Sequence, residues 1–341
     1  MMLNKKFFKL LTLIVLALVL IFITFYYWAG SGNLAEADYL KIKQYGIKFT
    51  TPSDTIKVMT YNIGYLSGMT NNLAVERTYE LIHNNLHRSS KVLEEIDPDI
   101  VGFQEIDFNA DRSYNFNQLD SLAVLGNYSF GAAAVNWDKS YVPFPYWPIK
   151  FHFGMIVSGQ AVLSKMSFIS HAAKVLIKPK SAPFYYNKFY LERLVQLAFL
   201  KVGNHDTLVV MNTHLEAFDE ETREVQVAMV AKMYKEFSPY YAVILMGDFN
   251  SKPPFANDKK DMDSTLGKIY EIEGIKEAIS KQEYLANEDR FFTFDTDRPY
   301  ERLDYIFYSG NRIRKIDAGV VYQAGTVSDH LPVWLSFTLK K

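Results

Sequence analysis

The hydrophobic and polar positions divide the chain in two. Leu10 to Trp28 form an uncharged run of nineteen residues, dominated by Leu, Ile, Val and Phe and lacking a polar stripe. As a helix rising about 1.5 Å per residue, this run nearly crosses a hydrocarbon core of roughly 30 Å. From Ile56 onward, apolar strand candidates alternate with amphipathic helices. Strands are predicted at Ile56 to Tyr61, Asp99 to Gln104, Gly159 to Leu163, Tyr190 to Leu200, Thr207 to Asn212, Val243 to Gly247, Leu303 to Tyr308 and Val333 to Thr338. Helices are predicted at Val75 to Ile96, ended by Asp97-Pro98, and at Glu220 to Phe237. Strands mixed with helices and hairpin-like pairs predict an α/β sandwich of packed sheets flanked by helices.

Charge orients the first segment. Lys5, Lys6 and Lys9 precede the apolar run and none follows it closely, which places the N-terminus in the cytoplasm and the remainder outside. Tyr26, Tyr27 and Trp28 close the run as interface aromatics do. A cleaved signal peptide would need a better small-x-small site than Ala29-Gly30-Ser31, and a core helix would need the missing polar stripe. The expected organisation is a cytoplasmic N-terminus over 1–9 and a transmembrane signal anchor over 10–28. A juxtamembrane stalk or short helix over 29–54 then leads into one domain over 55–341.

Composition narrows the chemistry. The chain has no cysteine, which excludes disulfides, thiolate zinc sites and a cysteine nucleophile. Beyond the apolar run, 34 basic residues face 38 acidic ones without a Lys/Arg cluster. Tight nucleic-acid binders show a basic surface, because phosphate neutralisation dominates their affinity. No segment points to a protein partner. Tyr141 to Phe153, YVPFPYWPIKFHF, crowds aromatics among three prolines. It reads either as a loop packed on its own rings or as one that touches membrane or an apolar substrate tail.

Polar residues recur at the ends of the apolar strands: Asn62, Glu105, Asn212 with His214, Asp248 with Asn250, Asp304, and Asp329 with His330. Any one of them is an ordinary turn former or cap. Together they are carboxylates, amides and imidazoles projected from a rigid scaffold. Such oxygen donors suit Mg²⁺, Mn²⁺ or Ca²⁺, and such ions neutralise phosphate charge. A histidine paired with an aspartate can act as general base or bond phosphoryl oxygens. Neither a Walker-type glycine loop nor a G-x-S-x-G elbow is present.

The ordered series TYNIG, GFQE, GQAVLSK, MNTHLE, GDFNSKP, RLDYIF and SDHLPV resembles the endonuclease/exonuclease/phosphatase superfamily, from about Ile56 to Phe337. The resemblance implies a four-layer α/β/β/α sandwich, two packed mixed sheets flanked by helices. It implies a divalent-metal-dependent hydrolase of phosphate esters, in which activated water attacks phosphorus in line. It further implies that Glu105 is the principal metal ligand with Asn62 beside it. Asp248 would orient the nucleophilic water or bind a second metal, and Asn250 would contact the phosphate. His330 would be the catalytic histidine, with Asp329 at the metal side and Asp304 orienting the imidazole. His214 matches a second histidine of the deoxyribonuclease and sphingomyelinase branches. Asn212 is a further candidate substrate contact. Arg193 reads as a phosphate contact or as a strand-edge arginine in a structural salt bridge.

Three functions compete. A phosphodiesterase acting outside the cytoplasm on lipid head groups or similar membrane phosphodiesters fits the anchor, the acidic balance and the aromatic segment. An anchored nuclease degrading extracellular DNA or RNA would use the same catalytic set, but lacks a basic stripe. A non-catalytic binding module would have no need to keep every catalytic position filled.

Overall fold

The computed structural model describes residues 2–46, 54–203, 206–260 and 262–340. The chain opens with helix α1 (Met2–Ala29) and the short strand β1 (Leu40–Gln44). β2 (Thr55–Asn62), α2 (Tyr79–Ile96), β3 (Ile100–Ala110), α3 (Gln118–Leu125), β4 (Phe130–Val142) and β5 (Gly154–Ser164) follow. Next come β6 (Phe168–Val175), α4 (Phe184–Phe189), β7 (Leu194–Val202), β8 (Asp206–His214), α5 (Glu220–Phe237) and β9 (Ala242–Asp248). The chain ends through α6 (Gly267–Tyr270), β10 (Ile275–Glu277), α7 (Lys281–Ala286), β11 (Asp304–Ser309), β12 (Ile313–Val320) and β13 (Val333–Leu339).

The strands form two mixed sheets, in the orders β1-β4-β5-β3-β2-β13-β12 and β10-β11-β9-β8-β7-β6. Period-two alternation explains their stacking. In β2, Ile56 and Val58 point between the sheets, while Met59 and Tyr61 face α2 and α3. In β9, Ile244 and Met246 point inward, while Val243 and Leu245 meet α5. Both faces of β2 and of β9 are therefore covered, which is why these segments read as unbroken apolar runs. The result is the expected α/β sandwich of two packed sheets flanked by helices.

Helix α2 begins later than its predicted start at Val75. The Thr78 hydroxyl accepts from Leu81 N and caps the first turn, so Val75 to Arg77 stay outside. Its end is as expected: Asp97 takes a left-handed conformation ahead of Pro98. Tyr190 to Arg193 likewise precede β7 rather than belonging to it.

Lys5–Ala29 is long and apolar enough to cross a membrane by length and composition. The segment after it differs from a stalk. Asp138 on β4 accepts from Asn33 N, Asn33 Nδ2, Leu34 N and Tyr39 Oη at 2.7–3.1 Å. β1 then pairs antiparallel with β4 as the sheet's edge strand. Residues 47–53 of the predicted stalk lie outside the described residues.

Candidate active site

Register places the site. Across the second sheet, His214 at the end of β8 stands opposite Asp248 at the end of β9, and Asp248 stands opposite Asp304 at the start of β11. Gly247 lets these strands approach: a Cβ there would run into the Thr213 carbonyl. Asn250, with φ +48°, turns the chain after β9 so that its backbone N–H donates to Asp248 Oδ1 at 2.9 Å.

The first sheet supplies the facing half. Glu105 sits where β3 slips register against β5, between Phe103 and Ile106. Its φ of +52° is a left-handed conformation, strained for glutamate, and it aims the carboxylate into the cleft. Asn71 Nδ2 holds Glu105 Oε2 at 2.7 Å. Asn62, at the end of β2, donates its side-chain N–H to Asp248 Oδ2 at 2.9 Å. Ser328 Oγ donates to the Asn62 carbonyl at 2.8 Å, tying the SDH segment to TYNIG.

His330 completes the centre. Its Nδ1 lies 2.8 Å from Asp304 Oδ2, and its Nε2 lies 3.7 Å from Asp248 Oδ2. Burial opposes a charged imidazole, yet Asp304, Asp248 and Asp329 together hold His330 well above the ordinary histidine value. His214 moves the other way: burial, then Arg193 and His330, push it well below. The two histidines are thus poised in opposite states, one as proton donor and one neutral. Burial lifts Asp248 to about 7 and Asp329 to about 6, against the pull of His330; Asp304 and Glu105 respectively add to the rise.

That crowding bears on the metal. The ligand atoms of Asp248, Asp304 and His330 fall within 4.8 Å of one another. His330 Nδ1 is committed to Asp304, however, and a protonated imidazole is no ligand. The oxygen donors that face the cleft are Glu105, Asp329 and Asp248, while the Asn62 amide oxygen beside them already accepts from Gly64 N at 3.1 Å. Hard oxygen donors carrying more negative charge than the fold neutralises fit a divalent cation of the Mg²⁺, Mn²⁺ or Ca²⁺ type.

Most expected residues converge. Glu105, Arg193, His214, Asp248, Asn250, Asp329 and His330 line one cleft of about 760 Å³. Asn62 and Asp304 are buried behind its surface, supporting Asp248 and His330. Asn212 is not brought there. Its amide joins the two sheets, bonding Gln104, Gln196 and the Phe103 carbonyl at 2.5–3.0 Å. Arg193 makes the structural salt bridge while lining the cleft. Its Nε lies 3.6 Å from Glu216, its Nη2 donates to Tyr190, and its Nε and Nη1 have no hydrogen-bond partner. Residues missed from sequence are Asn71, which no pattern marks, and Ser328 and Glu216, which the quoted motifs contain without a role.

Comparison with known proteins agrees with this geometry. A family model described as "Endonuclease/Exonuclease/phosphatase family" matches residues 59–330. No curated protein matches the chain significantly. Among solved structures, an endonuclease/exonuclease/phosphatase from Beutenbergia cavernae is similar at TM-score 0.57 and 19% identity, over 84% of this chain and 72% of that one. One from Bacteroides vulgatus gives 0.57 and 17%, over 84% and 99%. The human Nocturnin catalytic domain with bound sulfate gives 0.56 and 17%, over 88% and 98%. At these identities the solved structures support the fold alone.

Proposed function

Because the chain belongs to the endonuclease/exonuclease/phosphatase family, we propose that this phosphoester hydrolase is a phosphodiesterase acting outside the cytoplasm on lipid head groups or similar membrane phosphodiesters. The carrying observation is the lining of the catalytic cleft, where the polar centre continues into rings from Tyr65, Trp137, Phe144, Tyr146, Phe153 and Tyr186. The cations that line it are mostly spent. Arg112 pairs with Asp107, Arg223 with Asp263 and Lys252 with Asp258. Arg193 faces Glu216 at 3.6 Å, and its Nη1, like that of Arg112, has no hydrogen-bond partner. A polyanion such as DNA needs a track of available cations; one phosphate at the end of an apolar path needs one or two.

In this reading Arg193 and Asn250 hold the phosphate. Asp248, fixed by Asn62 and the Asn250 backbone, positions the attacking water and takes its proton. His330, held by Asp304, donates a hydrogen bond to a phosphoryl oxygen as charge develops there; as the new P–O bond forms, the opposite ester P–O bond breaks and its oxygen leaves with a proton taken from solvent. Glu105 and Asp329, with Asn62 beside them, would hold the divalent ion. When bound, that ion supplies charge neutralisation at the phosphate. α1 would carry the anchor, with Lys5, Lys6 and Lys9 on the cytoplasmic side.

The test offers the full chain sphingomyelin-type lipid in mixed micelles, plasmid DNA and single-stranded RNA, each with Mg²⁺ or EDTA. Cleavage of lipid alone, lost with EDTA and in His330→Ala, is expected. Cleavage of nucleic acid alone would overturn the substrate class.

A further inference from the structure

The catalytic cleft does not end within the domain. Phe22, Phe25 and Tyr26 of α1 line it together with His214, Asp248 and His330. The contact is built rather than grazing. Tyr26 packs edge-on against Phe184 and Phe189 of α4 at 5.8 and 5.9 Å. Phe25 meets Tyr141 of β4 at 5.9 Å, and Trp28 stacks on the same ring. Ala29 is fully buried, and four residues later, at Asn33, the Asp138 clamp begins. Ser31 and Ser140 are hydrogen-bonded as well. The clamp thus tethers the chain a few residues beyond the helix end, beside the cleft.

We propose that the last two turns of α1 are part of the substrate site, forming with Phe144, Tyr146 and Phe189 a wall for the hydrocarbon chain of a phospholipid drawn from the bilayer that holds α1. This rests on the phosphodiesterase reading above and names how its substrate is selected. Length supports the occupant. Lys5–Ala29 spans 25 residues, about 37 Å as a helix, so the turns from Phe22 to Ala29 fall at the edge of a hydrocarbon core of roughly 30 Å. What lies beside a helix at that depth is lipid. The neighbouring surface agrees: Tyr146, Trp147 and Ile149 after β4, and Phe184 and Tyr185 on α4, are half to three-quarters exposed, as suits groups immersed at an interface. Phe22 is the most informative residue, because it lines the cleft while remaining 62% exposed. Replacing it leaves the packing of Phe25 and Tyr26 in place.

The experiment compares full-length wild type with Phe22→Ala and Phe22→Trp in vesicles containing Mg²⁺. Each protein is assayed on a long-chain phosphodiester lipid and on bis(4-nitrophenyl) phosphate, a small water-soluble diester. The ratio of the two kcat/KM values is the readout. It should fall roughly tenfold in Phe22→Ala, the scale set by losing one ring contact to a chain, and Phe22→Trp should also alter it by narrowing the path. A ratio unchanged in both variants, with lipid still cleaved, would overturn this inference and leave the phosphodiesterase reading standing. A wild-type chain that cleaves no lipid would overturn both.

Discussion

His330 and Asp304 meet at 2.8 Å between Nδ1 and Oδ2, although 26 residues separate them in sequence. The bond fixes the imidazole so that Nε2 faces Asp248 across the centre. Asp304→Asn should keep the fold and lower kcat by roughly a hundredfold to ten-thousandfold, the usual worth of a positioned proton donor. His330→Ala should cost at least as much. Near-wild-type turnover in either variant would remove this dyad from the mechanism.

Asn71 lines the cleft and holds the Glu105 carboxylate through its side-chain amide. Partners of metal ligands typically govern about 10- to 100-fold in affinity, so Asn71→Ala should raise the Mg²⁺ concentration for half-maximal activity by that range. Glu105→Gln should do more. A metal titration of both variants checks this, and an unchanged midpoint in Glu105→Gln would displace Glu105 as ligand.

Asp138 is the lock on the segment after α1. Removing a nearly buried carboxylate that accepts several hydrogen bonds should cost on the order of 2 kcal/mol. Asp138→Ala should also expose residues 31–39 to limited proteolysis while the rest of the domain resists. Equal cleavage in wild type would mean that the clamp is open in solution.

His171 gives a stability signature away from the centre. Its Nε2 lies 3.0 Å from Gln196 Nε2, which the neutral ring can accept from, and burial lowers its pKa to about 4. The unfolded chain takes up this proton near pH 6.5 and the folded chain does not until about 4. Stability should therefore fall as pH drops through that window, by on the order of 3 kcal/mol, and level off below it. In urea melts at about pH 7.5 and about pH 4.5, His171→Gln should lose this part of the difference. An identical pH response in both proteins would contradict the assignment.

What the sequence discloses follows from burial. β9 and β3 lie in doubly covered sheets, so VILMG and IVGF read directly as strands. β1 and β12 are exposed edges with charged residues, and β4 carries Ala132 to Ala134 where larger side chains would have announced a strand. The strand-end residues could be named, but not the row His214–Asp248–Asp304, because lateral neighbours are set by register. Asn212 shares the strand-end pattern and yet spans the sheets, a role that depends on Gln104 and Gln196 arriving from other strands. The seat of α1 on the cleft was equally hidden. A helix apolar on every side does not say which side packs.

The most direct measurement is release of water-soluble head group, phosphorylated or free, from phospholipid vesicles carrying the full chain. The account predicts release with Mg²⁺, none with EDTA, and none from His330→Ala. Intact lipid alongside cut plasmid DNA or RNA under the same conditions would contradict it.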